Sequence, residues 1–154
     1  MKITKEWLEE RNACKEGIDW FATQTETDGI KILKKLIAED KEDKLDWANW
    51  LIVRLMDYNG YVSYAIFAAE QVIDIFEKEY PKDKRPRLAI EAAKKCIDNP
   101  NAANAAYCAA KAADAAYYAA YCAANYAAYC AADAKKEMQL KILNYGLELL
   151  KRNK

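Results

Sequence analysis

Along most of the chain, apolar residues recur three and four positions apart, the rhythm of helices that each bury one face. Thr4 sits where it can cap a short first helix carrying Trp7 and Leu8. A second short helix is expected from about Ala13 to Thr23, with Ile18, Trp20 and Phe21 as its apolar members. Asp28 predicts a third cap, and the helix behind it sets Ile30, Ile32, Leu33, Leu36 and Ile37 against Lys31, Lys34 and Lys35. The charged run AEDKEDK reads as a solvated connection. Beyond it Leu45, Ala48, Leu51, Ile52 and Leu55 share a face that Trp47, Trp50 and Val53 widen, and Asn59-Gly60 reads as a left-handed stop. One helix is then expected from about Tyr61 to Tyr80, with Ala65, Ala68, Ala69, Val72, Ile73 and Phe76 facing inward. Pro86, tolerated in a first turn, opens another through Leu88, Ile90, Ala93 and Ile97, which Asp98-Asn99-Pro100 closes.

Residues 101–134 break from ordinary composition: of these 34 residues, 19 are alanine, six tyrosine and three cysteine. Alanine has the highest helix propensity, so the segment reads as helix whatever surrounds it, and its small side chains let neighbouring helices approach closely. Cys108, Ala112, Ala115, Ala119, Cys122, Tyr126 and Cys130 make a small apolar seam; Tyr107, Lys111, Asp114, Tyr118, Tyr121, Asn125 and Tyr129 make a polar-aromatic stripe beside it. A last helical stretch carries Met138, Leu140, Ile142, Leu143, Leu147, Leu149 and Leu150. The expectation is an all-α protein, a compact bundle of about six to eight helices around a long Ala/Tyr-rich helix. It is read as a single helical domain over 1–154: short helices in 1–40, Trp-bearing and RPR helices in 43–100, Ala-rich and C-terminal helices in 101–152.

Composition narrows the chemistry more than any motif does. The 24 basic and 24 acidic side chains cancel, which argues against nucleic acid or an anionic membrane as the main partner. Histidine is absent, and with it the commonest general base and metal ligand. The four glycines stand far apart, so no phosphate-cradling glycine loop is present. No carboxylate pair stands out at metal-binding or glycosidase-like spacing. The expectation is therefore no catalytic residue, no metal and no cofactor. Five cysteines, odd in number and without C-x-x-C spacing, read as free thiols, mostly small buried hydrophobes. The opening MKITKEWLEERN is charged where a signal peptide would be apolar, and no apolar run is long enough to cross a bilayer. The reading is cytoplasmic.

The stretch YPKDKRPRLAIEAAKKC, through Asp83, Arg85, Pro86, Arg87, Ala89, Ile90 and Glu91, followed by A-x-x-A-A repetition, resembles the bacterial "putative immunity protein" family. Trp47, Trp50, Arg54, Ala68, Ala69 and Phe76 fit the same pattern. The opening ITKEWLEERNACKEGIDWF is similar to that of small uncharacterised phage proteins. The resemblance implies a binding protein, encoded by a phage or mobile element, that neutralises a bacterial toxin or defence component. The Ala-rich helix departs from the family's usual Ala-Arg run in being rich in Tyr and Cys.

Two candidate ligand-binding surfaces follow. Tyr107, Lys111, Asp114, Tyr118, Tyr121 and Asn125 could wall a pocket in which rings stack on a flat, nucleotide-like ligand; the plainer reading is a partly solvated face. Arg85 and Arg87 at a helix N-terminus could hold a phosphate or carboxylate, or one of them could pair with Glu70 or Glu91 and pin helices together. The implied partner is thus a small nucleotide-like ligand or a toxin or defence protein met by direct contact. The small-residue seam also allows a homo-oligomer. The four tryptophans read as core.

Overall fold

The computed structural model describes residues 1–98 and 132–152. Within them the protein is all-α, as the periodicity requires. Eight helices are described: α1 (Lys5–Glu10), α2 (Lys15–Ala22), α3 (Gly29–Glu39), α4 (Glu42–Leu55), α5 (Tyr58–Glu70), α6 (Ile73–Glu79), α7 (Arg85–Asp98) and α8 (Ala132–Arg152). The chain divides into two compact units, Met1–Leu55 and Met56–Lys154.

In the first unit, the expected caps form. The Thr4 hydroxyl accepts the Trp7 N–H at 3.2 Å and Asp28 Oδ1 accepts the Lys31 N–H at 3.1 Å, each satisfying a donor that a helix start leaves unpaired. Helix α1 closes with Asn12 in the left-handed region (φ 54°). There Ala13 N–H reaches back to Leu8 C=O and Asn12 N–H to Glu9 C=O, the paired bonds of a Schellman turn. That turn reverses the chain and brings residues 12–14 back toward α2. Residues before α1 are pinned along the start of α3: Ile3 N–H donates to Thr27 C=O at 2.7 Å and Gly29 N–H to Met1 C=O at 2.8 Å. Ile3 is thereby fully buried. The connecting turn is organised by Glu26, whose Oε1 accepts the N–H groups of Thr27 and Asp28 at 2.9 and 2.8 Å.

The run AEDKEDK is mostly helix and not a connection. Helix α3 continues through Glu39, Asp40 turns in the left-handed region, and α4 is already formed at Glu42. Lys44 lies buried inside α4 with its ammonium 3.8 Å from the Trp47 ring centroid and 2.6 Å from Asp43 Oδ2. The ring gives the cation a stabilising face that hydropathy alone does not register.

In the second unit, Asn59-Gly60 does not end a helix. The break falls at Met56-Asp57, and Asp57 caps α5 by accepting the Gly60 N–H at 2.8 Å; an acidic cap outcompetes the Asn-Gly stop. The expected Tyr61–Tyr80 helix is two helices, α5 and α6, broken at Gln71-Val72. Of its inward set Ala65, Ala69, Val72, Ile73 and Phe76 are buried, while Ala68 is half-buried. Val62, Ile66, Ala69 and Ile73 pack on Ala89, Ile90 and Ala93 of α7, and three alanines at this contact permit a close crossing. Helix α8 also packs on α5, with Phe67 and Tyr145 stacked at 3.9 Å, and runs unbroken through Asp133–Lys136. Leu88, one of the apolar residues of α7, is 60% exposed. Cys96 is buried and disulfide-bonded, against the reading of free thiols; its partner lies outside the described residues, while Cys14 is free and exposed.

Candidate functional site

The basic turn of the second unit is built around its own carboxylates. Asp83 Oδ1 accepts both the backbone N–H of Arg85, at 3.1 Å, and its Nε–H, at 2.9 Å. The Arg85 guanidinium and that N–H hold the Asp83 carboxyl down to about 2. Pro86 fits the first turn and is fully buried. Arg87 grips Glu77 of α6 with Nε and Nη2, at 2.9 and 2.7 Å, and reaches Asp74 at 3.3 Å. This two-point geometry fixes orientation as well as distance. It also holds the Glu77 carboxyl below its ordinary range. Arg87 thus ties α7 to α6 through Glu77 and Asp74, where the sequence suggested Glu70 or Glu91; Glu70 pairs with Lys94.

With Arg87 and Pro86 anchored, the other side of α7 is presented outward. Lys84, Leu88, Glu91 and Lys95, four, three and four residues apart, are all exposed, and the Arg85 side chain is 73% exposed beside them. The result is a leucine set among charged groups on a helix whose first turn is held by ion pairs. Tyr107, Lys111, Asp114, Tyr118, Tyr121 and Asn125 lie outside the described residues.

The first unit contains a feature that the sequence does not announce. Its tryptophans are partly exposed and not core. Trp7 meets Trp50 edge to face with centroids 6.3 Å apart, and Trp20 is tilted on Trp47 at 6.2 Å. The Trp20 indole N–H donates to Glu39 at 3.0 Å, which fixes its ring. Trp20, Trp47 and Trp50 line a cavity of about 300 Å³ whose floor includes Ile3, Leu8, Ile32, Leu36 and Leu51. The Schellman turn contributes Asn12, Ala13 and Cys14, and Gly17 completes the wall close to Trp47. Trp47 and Trp50, three residues apart, gave the sequence signal for a shared face, but nothing in spacing showed that rings on α2 and α4 would line a space.

Among the described residues no group of three or more cysteine, aspartate or glutamate side chains is placed to hold a metal, and no helix is long and apolar enough to cross a membrane.

These features describe an all-α protein. Residues 55–136, more than half of the chain, match the family of the Imm-5 like putative immunity protein, and the chain belongs to that family. No curated protein and no solved structure matches it.

Proposed function

We propose that this protein neutralises a toxin or effector protein by binding it directly, and that the outer face of α7 is part of the contact. The observation that carries this reading is the pairing of the RPR turn. A phosphate cradle needs guanidinium groups with donors to spare, whereas Arg85 and Arg87 are each engaged by carboxylates of the chain itself. Those bonds stiffen the helix start and leave Leu88, flanked by Lys84 and Arg85, as an outward apolar anchor within the family-matched segment. Rigid presentation lowers the ordering cost of association, and an apolar residue ringed by charge is the usual anatomy of an interface centre. Tyr107, Lys111, Asp114, Tyr118, Tyr121 and Asn125, outside the described residues, are proposed to touch the same target. Inhibition by occupancy requires no catalytic group, and the absence of histidine is consistent with it.

The experiment uses a toxin encoded beside an Imm-5 like gene, co-expressed with the full chain. Growth rescue and a discrete protein–protein complex in native mass spectrometry are expected, and Leu88→Asp is expected to weaken the complex at least about tenfold. The fold should be unchanged, because residue 88 faces solvent. Rescue without a complex, together with a nucleotide retained by the purified protein and lost in Tyr118→Ala, would replace this reading with sequestration of a nucleotide signal.

A further inference from the structure

The Met1–Leu55 unit lies almost entirely outside the family-matched segment, yet it holds the cavity and all four tryptophans. We propose that this cavity is a binding site for a small amphipathic acid: a flat apolar body of one or two fused rings carrying a single anionic group that reaches past the Trp50 wall toward Arg54 and Arg11, which stand outside the lining itself. The volume, about 300 Å³, is at the lower end of small-ligand pockets. Its walls are indole and aliphatic surface, so the body of the ligand is apolar and flat enough to stack on Trp47 or Trp50.

The anionic group is argued from the two arginines. Arg54 lies on the Trp50 ring, its guanidinium carbon 3.9 Å from the centroid, and Arg11 lies on Trp7 at 4.4 Å. The two rings touch, so two guanidinium groups bracket one aromatic pair. Arg54 donates to the Trp50 carbonyl at 2.7 Å, and among the described residues no carboxylate pairs with it. Arg11 meets the exposed Glu10 only at 3.4 Å. Partial burial, and secondarily the charge of Arg11, lower the affinity of Arg54 for its proton, the mark of a cation that lacks a counter-charge. A bound anion would relieve both. Asp46 is the one carboxylate on the lining, and its charge directs an anion away from its own side and toward the Trp50 side. A quaternary ammonium is the wrong ligand, because Arg11, Lys44 and Arg54 already stand over one face each of Trp7, Trp47 and Trp50 and would repel it.

Two dyes that differ by one sulfonate test this. 8-Anilino-1-naphthalenesulfonate and its neutral parent N-phenyl-1-naphthylamine are titrated into the full chain. The expected result is one site per chain, with the sulfonate at least about tenfold tighter. Arg54→Gln should bring the sulfonate to the affinity of the neutral dye and leave the neutral dye unchanged, while Arg54→Lys restores much of the difference. Cys14 lines the cavity and is exposed, so saturating dye should slow its alkylation by N-ethylmaleimide, read on the Cys14 peptide by mass. Unchanged far-UV circular dichroism in each variant separates loss of the site from loss of the fold. Equal affinity for the two dyes, sulfonate affinity indifferent to Arg54→Gln, or no protection of Cys14 would each overturn the proposal.

Discussion

All four tryptophans lie in Met1–Leu55 and all eleven tyrosines in Met56–Lys154, and the described residues of the two units pack differently. In the first, rigid bicyclic rings on α1, α2 and α4 meet at about 6 Å, a spacing set by edge-to-face and tilted geometry. Such rings do not interdigitate as aliphatic side chains do, and those of Trp20, Trp47 and Trp50 line a cavity. In the second, alanine and branched aliphatics on α5 and α7 close the contact, and polar groups on α6 and α7 hold the register through Arg87. The unit matched by the immunity family presents its features on a helix surface, while the tryptophan unit presents a concavity.

The largest effect that could sharpen this contrast is loss of a core side chain in the first unit. Ile52 is fully buried, and Ile52→Ala should cost about 2–5 kcal/mol, read by denaturation followed through tryptophan emission, which reports on that unit alone. A second pair of substitutions could break the contrast outright. Ala93→Leu in the closed α5–α7 contact should destabilise by about 1–3 kcal/mol, through overpacking. Ala13→Leu, which points extra volume into the cavity wall, should change stability by less than about 0.5 kcal/mol and weaken dye binding. Equal penalties for the two would mean that the units are packed alike.

Cap removal is expected to be smaller. Asp57→Ala takes away the carboxylate that starts α5 and should cost about 1 kcal/mol, measured as a shift in denaturant midpoint at constant slope. The smallest effect concerns acid. In the folded chain the Glu26 carboxyl is held down to about 2 from an ordinary 4.5, chiefly by the Asp28 N–H and then by Lys31 and the Thr27 N–H. A folded value below the unfolded one means that this stabilisation is fully present above about 4.5 and is lost as pH falls toward 2. Tm followed by tryptophan emission should therefore fall with acid less steeply in Glu26→Gln than in the wild type.

Much of this was legible in the residues. Helical period gave the all-α class, Thr4 and Asp28 announced their caps, and RPR-x-AIEA pointed to the immunity family, because each of these is a local or linear signal. Three readings failed where a distant or competing group decided the outcome. Lys44 looked like loop charge, but the Trp47 ring one turn along takes its ammonium into α4. Asn59-Gly60 looked like a stop, but the Asp57 carboxylate two residues earlier uses Gly60 as a cap donor. The tryptophans looked like core because apolar spacing reports a shared face and carries no information about how completely large rings fill it. The partners of Arg87, ten and thirteen residues away, depended on a helix break at Gln71-Val72 that no glycine or proline marks.

The proposed action of this chain is occupancy of its target. Its most direct test is a titration of toxin activity against increasing full-length protein at toxin concentrations well above the dissociation constant. Residual activity should fall linearly and reach its floor at one equivalent, with the complex recovered intact. A floor reached far below equivalence, with the protein released unchanged and ready for another round, would contradict the account and make the chain an enzyme.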